Sequence, residues 1–327
     1  MHSCSEGGLG EALVREFQRR GYKVFATARR TESMQTLDEL PNVTQLFLDV
    51  TDLGSIRGAK ILIEEETGGR LDVLVNNAGI AHPYAITDCS LSDVKHVFDV
   101  NVFSQFTMVQ EFLPLLRASD DARIILVGSQ AGIAPVPFGA AYNASKAALI
   151  SFGDTLRVEL KPFGIKVITT VLGNVRTNII NANIKLPQDS IYDPIRAEYQ
   201  ASRIDHFQDD AVPRDLAARQ VVDGALRASP AALVWGGANV WLVWFMSTFL
   251  LKTVFVGFFR YSTIGLLCCA LLGNFADFVL LGCAGRTAES KVWSHKIDCV
   301  SGTSAREEEC MMMTPPHTWT FFIYAYV

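Results

Sequence analysis

Five short apolar runs recur along the first 172 residues, separated by stretches of helical periodicity, and this alternation narrows the fold more than any other feature. The runs are Lys23–Ala28, Thr44–Val50, Leu71–Val75, Arg123–Gly128 and Ile165–Leu172. Each is rich in β-branched or aromatic residues and apolar at almost every position, the pattern of strands covered on both faces. Between them lie the helical patterns Gly10–Arg20, Leu53–Thr67, Ser92–Arg117 and Ala140–Phe163, and a further helix is expected at Pro213–Ala228. Strand–helix alternation at this spacing predicts an α/β fold built on a doubly wound parallel sheet. A chain of 327 residues holds one such domain of about 230–260 residues and an appendage.

Composition narrows the partners. Hydrophobic residues make up 49% and charged residues 19% of the chain, below the roughly 25% charge of an ordinary soluble domain. The net charge of −5 and the pI near 5.7 leave no basic footprint, so nucleic acid is excluded as a partner. Seven cysteines, an odd number with no CxxC pair, indicate neither a disulfide framework nor a metal site. No cleavable signal peptide is read at the start, where Met1 gives way almost at once to a polar, glycine-rich run.

The excess apolar content is concentrated late in the chain. Residues 181–215 are polar and irregular, suited to a substrate-covering loop and helix. Pro230–Leu251 then contains no charged residue, and Tyr261–Gly285 contains one, Asp277. An uncharged run of this length can cross a bilayer, while tryptophans 235, 241 and 244 suit an interface better than a hydrocarbon centre. The expected organisation is therefore a domain over 1–230, a membrane-associating segment over 231–285, and a tail over 286–327 with no clear period. The alternative for the apolar run is a C-terminal core strand with a helix at a dimer interface.

Several clusters carry chemistry. Ser5-Glu6-Gly7-Gly8-Leu9-Gly10 opens a helix, and glycines there let the backbone approach a pyrophosphate while the helix N-terminus supplies N–H groups. Arg29 and Arg30 end the next strand. An acid at that place would bind ribose hydroxyls, whereas a basic residue accommodates a 2′-phosphate, so NADP(H) is the expected cofactor. Asp49 ends the following strand, within reach of an adenine edge or else acting as a cap. Asn76-Asn77-Ala78-Gly79 follows the next. Ser129 precedes Tyr142 by thirteen residues, and Lys146 follows four residues later. That last spacing puts phenol and ammonium on one helix face. A free tyrosine has a pKa near 10, and a neighbouring ammonium favours its ionised form.

In this order the motifs resemble the classical branch of the short-chain dehydrogenase/reductase superfamily, over about residues 3–230. The resemblance implies a Rossmann-type fold. It implies Tyr142 as acid/base, Lys146 holding the nicotinamide ribose and depressing the tyrosine pKa, Ser129 orienting the carbonyl, and Asn101 positioning a proton-relay water. It implies cofactor contacts from Ser5, Gly7, Gly8, Leu9, Gly10, Asn77, Ala78 and Gly79, and from Gly173, Val175 and Thr177, where a leucine stands in place of the usual proline before glycine. The glycine-rich CSEGGLG, ATARR, PFGAAYNASKAAL, ELKPFGIKV and the late apolar run are similar to fungal NADPH-dependent 1-acyldihydroxyacetone-phosphate reductases, and retinol and 17β-hydroxysteroid dehydrogenases share much of the pattern. The resemblance thus implies a lipophilic carbonyl substrate, attachment to the endoplasmic reticulum membrane and lipid droplet from the cytosolic side, and pairing of two copies through the helices bearing Asn101 and Tyr142. A non-catalytic scaffold on lipid droplets is the reading from another class.

Two departures stand out. Ser3 occupies the place of the family's first loop glycine, with His2 before it. No strand precedes the glycine loop, although in a doubly wound sheet that strand is central. Its absence predicts two unpaired strand edges, an untethered loop and a chain that is unstable or inactive as written, because each buried, unpaired backbone group costs about 1–3 kcal/mol.

Overall fold

A computed structural model of the protein describes residues 4–180, 184–205 and 208–261. The helices are α1 (Leu9–Arg19), α2 (Leu53–Thr67), α3 (Leu91–Phe98), α4 (Ser104–Arg117), α5 (Ala140–Leu160), α6 (Arg196–Tyr199), α7 (Arg214–Ala225), α8 (Val240–Phe249) and α9 (Lys252–Tyr261). The strands are β1 (Val24–Ala28), β2 (Val43–Phe47), β3 (Val73–Asn76), β4 (Arg123–Val127), β5 (Lys166–Leu172) and β6 (Leu233–Gly236). All named strand pairs are parallel. They form two sheets, one of β1 and β2 and one in the order β3-β4-β5-β6.

Helices cover both faces, as the apolar runs required. Alternate residues of β4 divide between two cores: Ile124 and Leu126 join α2, α4 and α5 on one side, and Ile125 and Val127 join α1 and α7 on the other. This follows from the two-residue side-chain period of a strand. Arg123 is the exception, a buried charge in β4. Its guanidinium donates to the carbonyls of Ala225 and Arg227 after α7 and to the carboxylate of Asp121, so the loose C-terminal carbonyls of a helix satisfy it.

The split between the sheets falls where the missing strand was expected. A cavity of about 340 Å³ lies there, bordered by Val24, Phe25 and Thr27 of β1, Val73–Val75 of β3, and Phe17, Met108 and Phe112 from the flanking helices. Among the described residues, the edges of β1 and β3 that border it take no strand partner. The glycine loop, by contrast, is tethered. Cys4 N–H donates to the Thr27 carbonyl at 3.0 Å, and Glu6 N–H donates to the Ser33 carbonyl at 2.8 Å. Local contacts to the end of β1 replace the strand anchor, which corrects the expectation of a loose loop.

Two further boundaries differ from the sequence reading. The helical pattern Ser92–Arg117 is broken by a wide π turn at Asp99–Phe103, which turns Asn101 inward. The sheet also runs past residue 230: Leu233–Gly236 pairs with Thr169–Leu172 as β6, and a ten-residue helix follows after Asn239, whose backbone is left-handed. The uncharged run is therefore a strand and a short helix, and among the described residues no helix is long and apolar enough to cross a membrane. Residues 262–285 and the tail 286–327 lie outside the described residues.

Residues 184–205 are not a bare loop. Leu186, Ile195, Tyr199 and Ile204 pack with Ala85 and Phe138 into a small separate core, and the Tyr199 hydroxyl donates to the Pro83 carbonyl.

Candidate active site

The carboxyl ends of β3, β4 and β5 and the N-terminus of α1 open onto one cleft of about 470 Å³. Its lining includes Ser5, Gly8, Leu9, Asn77, Gly79, Ser129, Tyr142, Lys146, Gly173, Val175, Thr177, Ile179, Ile180 and Arg203. Residues spread over nearly two hundred positions are thus brought together where parallel sheets of this type bind ligands.

The glycine loop is built for close approach. Gly7 has φ +78°, and a Cβ there would lie 2.4 Å from Asn178 Nδ2. Its N–H donates to the Glu11 carboxylate at 2.9 Å. Burial alone would raise the Glu11 pKa, but hydrogen bonds from Gly7, Thr36 and Arg15 outweigh it and hold the carboxyl below its ordinary value. Glu11, which the sequence reading passed over, is therefore an ionised brace inside the first turn of α1. Gly10 lies buried within that turn. The unpaired N–H groups of a helix start, a backbone with no Cβ in the way and a cleft continuing toward Tyr142 fit a dinucleotide pyrophosphate.

The chemistry centres on α5. Gly132, in the turn after Ser129, approaches α5 so closely that a Cβ would sit 2.7 Å from the Lys146 carbonyl carbon. That contact sets the end of β4 against the helix. The Ser129 hydroxyl is close enough to the Tyr142 phenol to pull its pKa down, and Ser129 Oγ accepts from Ala131 N–H at 3.2 Å. Lys146 is 4% exposed, its Nζ donates to the Val127 carbonyl at 2.9 Å, and burial lowers its pKa to about 8. The ammonium lies 5.8 Å from the centroid of the Tyr142 ring.

One expectation is corrected here. Desolvation pushes the Tyr142 phenol above its ordinary value, although the Ser129 hydrogen bond and the Arg203 charge pull the other way. Lys146 is not among the groups that lower it. Its ammonium donates to the Val127 carbonyl and lies over the Tyr142 ring. In this arrangement the phenol keeps its proton and is poised as a donor to an oxygen held by Ser129.

Asn101 is fully buried and does not line the cleft. Its Oδ1 accepts from Ile80 N–H at 2.8 Å, and its Nδ2 donates to the Ile80 carbonyl and to Ser145 Oγ, both at 3.0 Å. These bonds clamp the Asn77–Ile80 segment to α5. A Cβ on Gly79 would meet Lys146 Nζ at 3.3 Å and Asn101 Oδ1 at 3.4 Å, so the two groups converge at that glycine. Ala78 is buried, and its carbonyl accepts from Gln105 Nε2.

The remaining candidates lie farther out. Arg29 and Arg30 are exposed just past β1, outside the lining of the cleft. Asp49 is half-buried, and its Oδ1 accepts from both the backbone N–H and the hydroxyl of Thr51. Those bonds, led by the hydroxyl and opposed by burial, hold its carboxyl below the usual range. The capping of α2 falls to Asp52 instead, which accepts from Gly54 N–H. Thr177 N–H donates to Gln208 Oε1 at 3.1 Å, fixing the segment after β5 at the edge of the cleft. Among the described residues no cluster of side chains is suited to a metal ion.

Sequence reasoning missed Arg203 and His82, which also line the cleft. Both sit in irregular segments without periodicity, where a lone basic residue reads as solvated surface.

Comparison with known proteins agrees with this geometry. The short chain dehydrogenase family matches residues 4–186. The short-chain dehydrogenase srdE of Neurospora crassa is 40% identical over 254 residues, covering 77% of this chain and 87% of its own length. The short-chain dehydrogenase virD of Hypocrea virens is 40% identical over 260 residues, covering 78% and 88%. Among solved structures, a short-chain dehydrogenase from Streptomyces avermitilis superposes with TM-score 0.66 at 24% identity, covering 84% of this chain and 97% of that one. The closed form of a serine dehydrogenase complexed with NADP+ gives 0.62 at 25% identity, covering 73% and 94%. With a nicotinamide cofactor bound, the site supplies hydride chemistry between a CH–OH group and a carbonyl. The chain belongs to the short-chain dehydrogenase/reductase family of oxidoreductases.

Proposed function

We propose that this protein is an NADP(H)-dependent reductase of a lipophilic ketone, acting on 1-acyldihydroxyacetone phosphate to give 1-acylglycerol 3-phosphate. The observation that carries the reading is the single cleft. It brings the glycine loop together with Ser129, Tyr142 and Lys146, and its lining also includes Ala81, Val136, Ile179 and Ile180, apolar side chains of the kind that hold an acyl chain. A protonated phenol beside Ser129 supports reduction, in which Tyr142 gives its proton to the carbonyl oxygen. Two arginines and no acid after β1 support the 2′-phosphorylated cofactor. The serine dehydrogenase and a Burkholderia cenocepacia short chain dehydrogenase of similar fold were solved with NADP+ and NADP respectively.

Attachment to a membrane or lipid-droplet surface on its cytosolic side, at the endoplasmic reticulum, belongs to the same proposal. Trp241, Phe249 and Leu251 are more than 60% exposed, and Trp244 and Phe245 are more than 40% exposed. An apolar, aromatic surface on a short helix suits insertion into the interface rather than a span. The opposite side of α8, through Val243 and Met246, packs on Ala134 beside Ile133 and Val136, and Val136 also lines the cleft.

The test is NADPH oxidation with 1-acyldihydroxyacetone phosphate, set against a panel of ketosteroids and retinal. Preferred turnover of the lipid phosphate is expected, and Tyr142→Phe lowers it by about 10²–10⁴. A preference for a steroid or retinal would replace the substrate. No turnover of any carbonyl, with a cellular phenotype unchanged by Tyr142→Phe, would favour a scaffold.

A further inference from the structure

Ala81, Ala131, Val136, Ile179 and Ile180 are among the apolar residues lining the cleft, and Arg203 and His82 line it as well. Arg203 comes from the turn Gln200–Asp205 and is 5% exposed. Burying a guanidinium among apolar groups is costly, and here burial lowers its pKa to about 10, so it remains charged at neutral pH. It lies near enough to Tyr142 for the two groups to influence each other's ionisation. Among the described residues lining the cleft, Glu6 of the glycine loop is the only carboxylate. His82, in the lining of the same cleft, has its Nε2 buried with no hydrogen-bond partner.

We propose that Arg203, assisted by His82, recognises an anionic oxygen group on the substrate and so selects ketones that carry a phosphate or carboxylate near the reacting carbonyl. A charge between low-dielectric walls attracts an anion more strongly than one in water, and the planar fork of arginine matches two oxygens of either group at once. The proposal rests on the reductase reading above for which bond is reduced, and it adds what the substrate must carry. Arg203 acts on a part of the substrate that does not react.

The experiment measures binding rather than turnover. Octyl phosphate, octanoate and octanol are titrated calorimetrically into NADP+-loaded protein, wild type and with Arg203→Met, Arg203→Lys and His82→Phe. Wild type is expected to bind at least one of the two anions about 10- to 100-fold tighter than octanol, the range of a charge-assisted hydrogen-bonded pair. Phosphate and carboxylate are distinguished by which anion binds tighter. Arg203→Met brings the ratio to within about threefold of unity and leaves octanol unchanged. Arg203→Lys keeps part of the preference, and His82→Phe reduces it. Equal binding of anions and octanol by wild type would overturn the proposal without any variant, and so would a preference that survives Arg203→Met. Absence of carbonyl reduction would defeat the reductase reading while leaving this selectivity measurable.

Discussion

The sharpest stability consequence concerns Lys146. Its amine is buried against the Val127 carbonyl, and its pKa falls from 10.5 to about 8 because burial penalises the charge. At about 1.4 kcal/mol per unit, that drop represents roughly 3 kcal/mol of folding free energy. The sign follows from proton counting. Below pH 8 the lysine is protonated both folded and unfolded, so the folded state bears the whole cost. Between pH 8 and 10.5 the folded state gives up the proton first, the unfolded chain binds more protons, and stability rises with pH. Above 10.5 the cost is gone. Lys146→Met removes the titration and also leaves the Val127 carbonyl without its donor, a loss of about 1–3 kcal/mol that does not vary with pH. The difference in unfolding free energy, wild type minus Lys146→Met, is therefore expected to grow by roughly 3 kcal/mol from pH 7 to 10.5. Urea unfolding of nucleotide-free protein, followed by far-ultraviolet circular dichroism at a series of pH values, measures it. Both proteins should carry Tyr142→Phe, because the phenol lies beside the ammonium and titrates in alkali. A difference that stays flat or falls over this range would show that Lys146 is not desolvated, and the burial argument would fail.

Replacing Trp241, Phe249 and Leu251 together with glutamine should abolish flotation with phospholipid vesicles without lowering the unfolding midpoint, since all three side chains are largely exposed; flotation that persists would remove α8 as the attachment surface. Replacing Met1 and His2 with Met-Val-Leu-Ile-Thr should raise unfolding free energy by a few kcal/mol. Filling the 340 Å³ cavity is worth at most about 8 kcal/mol at ~24 cal/mol per Å³, less about 6 kcal/mol for ordering four residues. An unchanged urea midpoint would show that the slot does not accept a strand.

Much of the fold could be read because burial on both faces leaves a mark in the sequence. Runs such as Arg123–Gly128 have no other use for consecutive Ile-Ile-Leu-Val, and β4 occupies Arg123–Val127. Tyr142 and Lys146 were legible as a pair because four residues is nearly one helical turn. Asn101 was found by motif, but its hydrogen bonds to Ile80 and Ser145 were not legible, since they depend on a π turn that leaves no periodic trace. The apolar run at 230–251 misled because hydropathy records how apolar a segment is, not whether a sheet edge receives it; β5 receives Leu233–Gly236 as β6. Arg203 was invisible for the opposite reason. A buried arginine and a solvated one have the same letter, and only the packing of Tyr199 on Phe138 and Pro83 brings that turn over the cleft.

The position of Arg203 also bears on the direction of the reaction. Three influences act on the Tyr142 hydroxyl: burial raises its pKa, and Ser129 and Arg203 lower it. An anion bound at Arg203 neutralises the charge responsible for one of the two lowering effects. The phenol then holds its proton more firmly until a carbonyl oxygen gains negative charge beside Ser129. A substrate anion thus does more than anchor the molecule, because it biases Tyr142 toward the protonated state that reduction consumes. An alcohol awaiting oxidation needs the opposite, a phenolate ready to accept. In the same cleft, Lys146 is not among the groups that lower the Tyr142 pKa, so its ammonium gives that phenolate no help. Both features favour a carbonyl as the substrate at neutral pH.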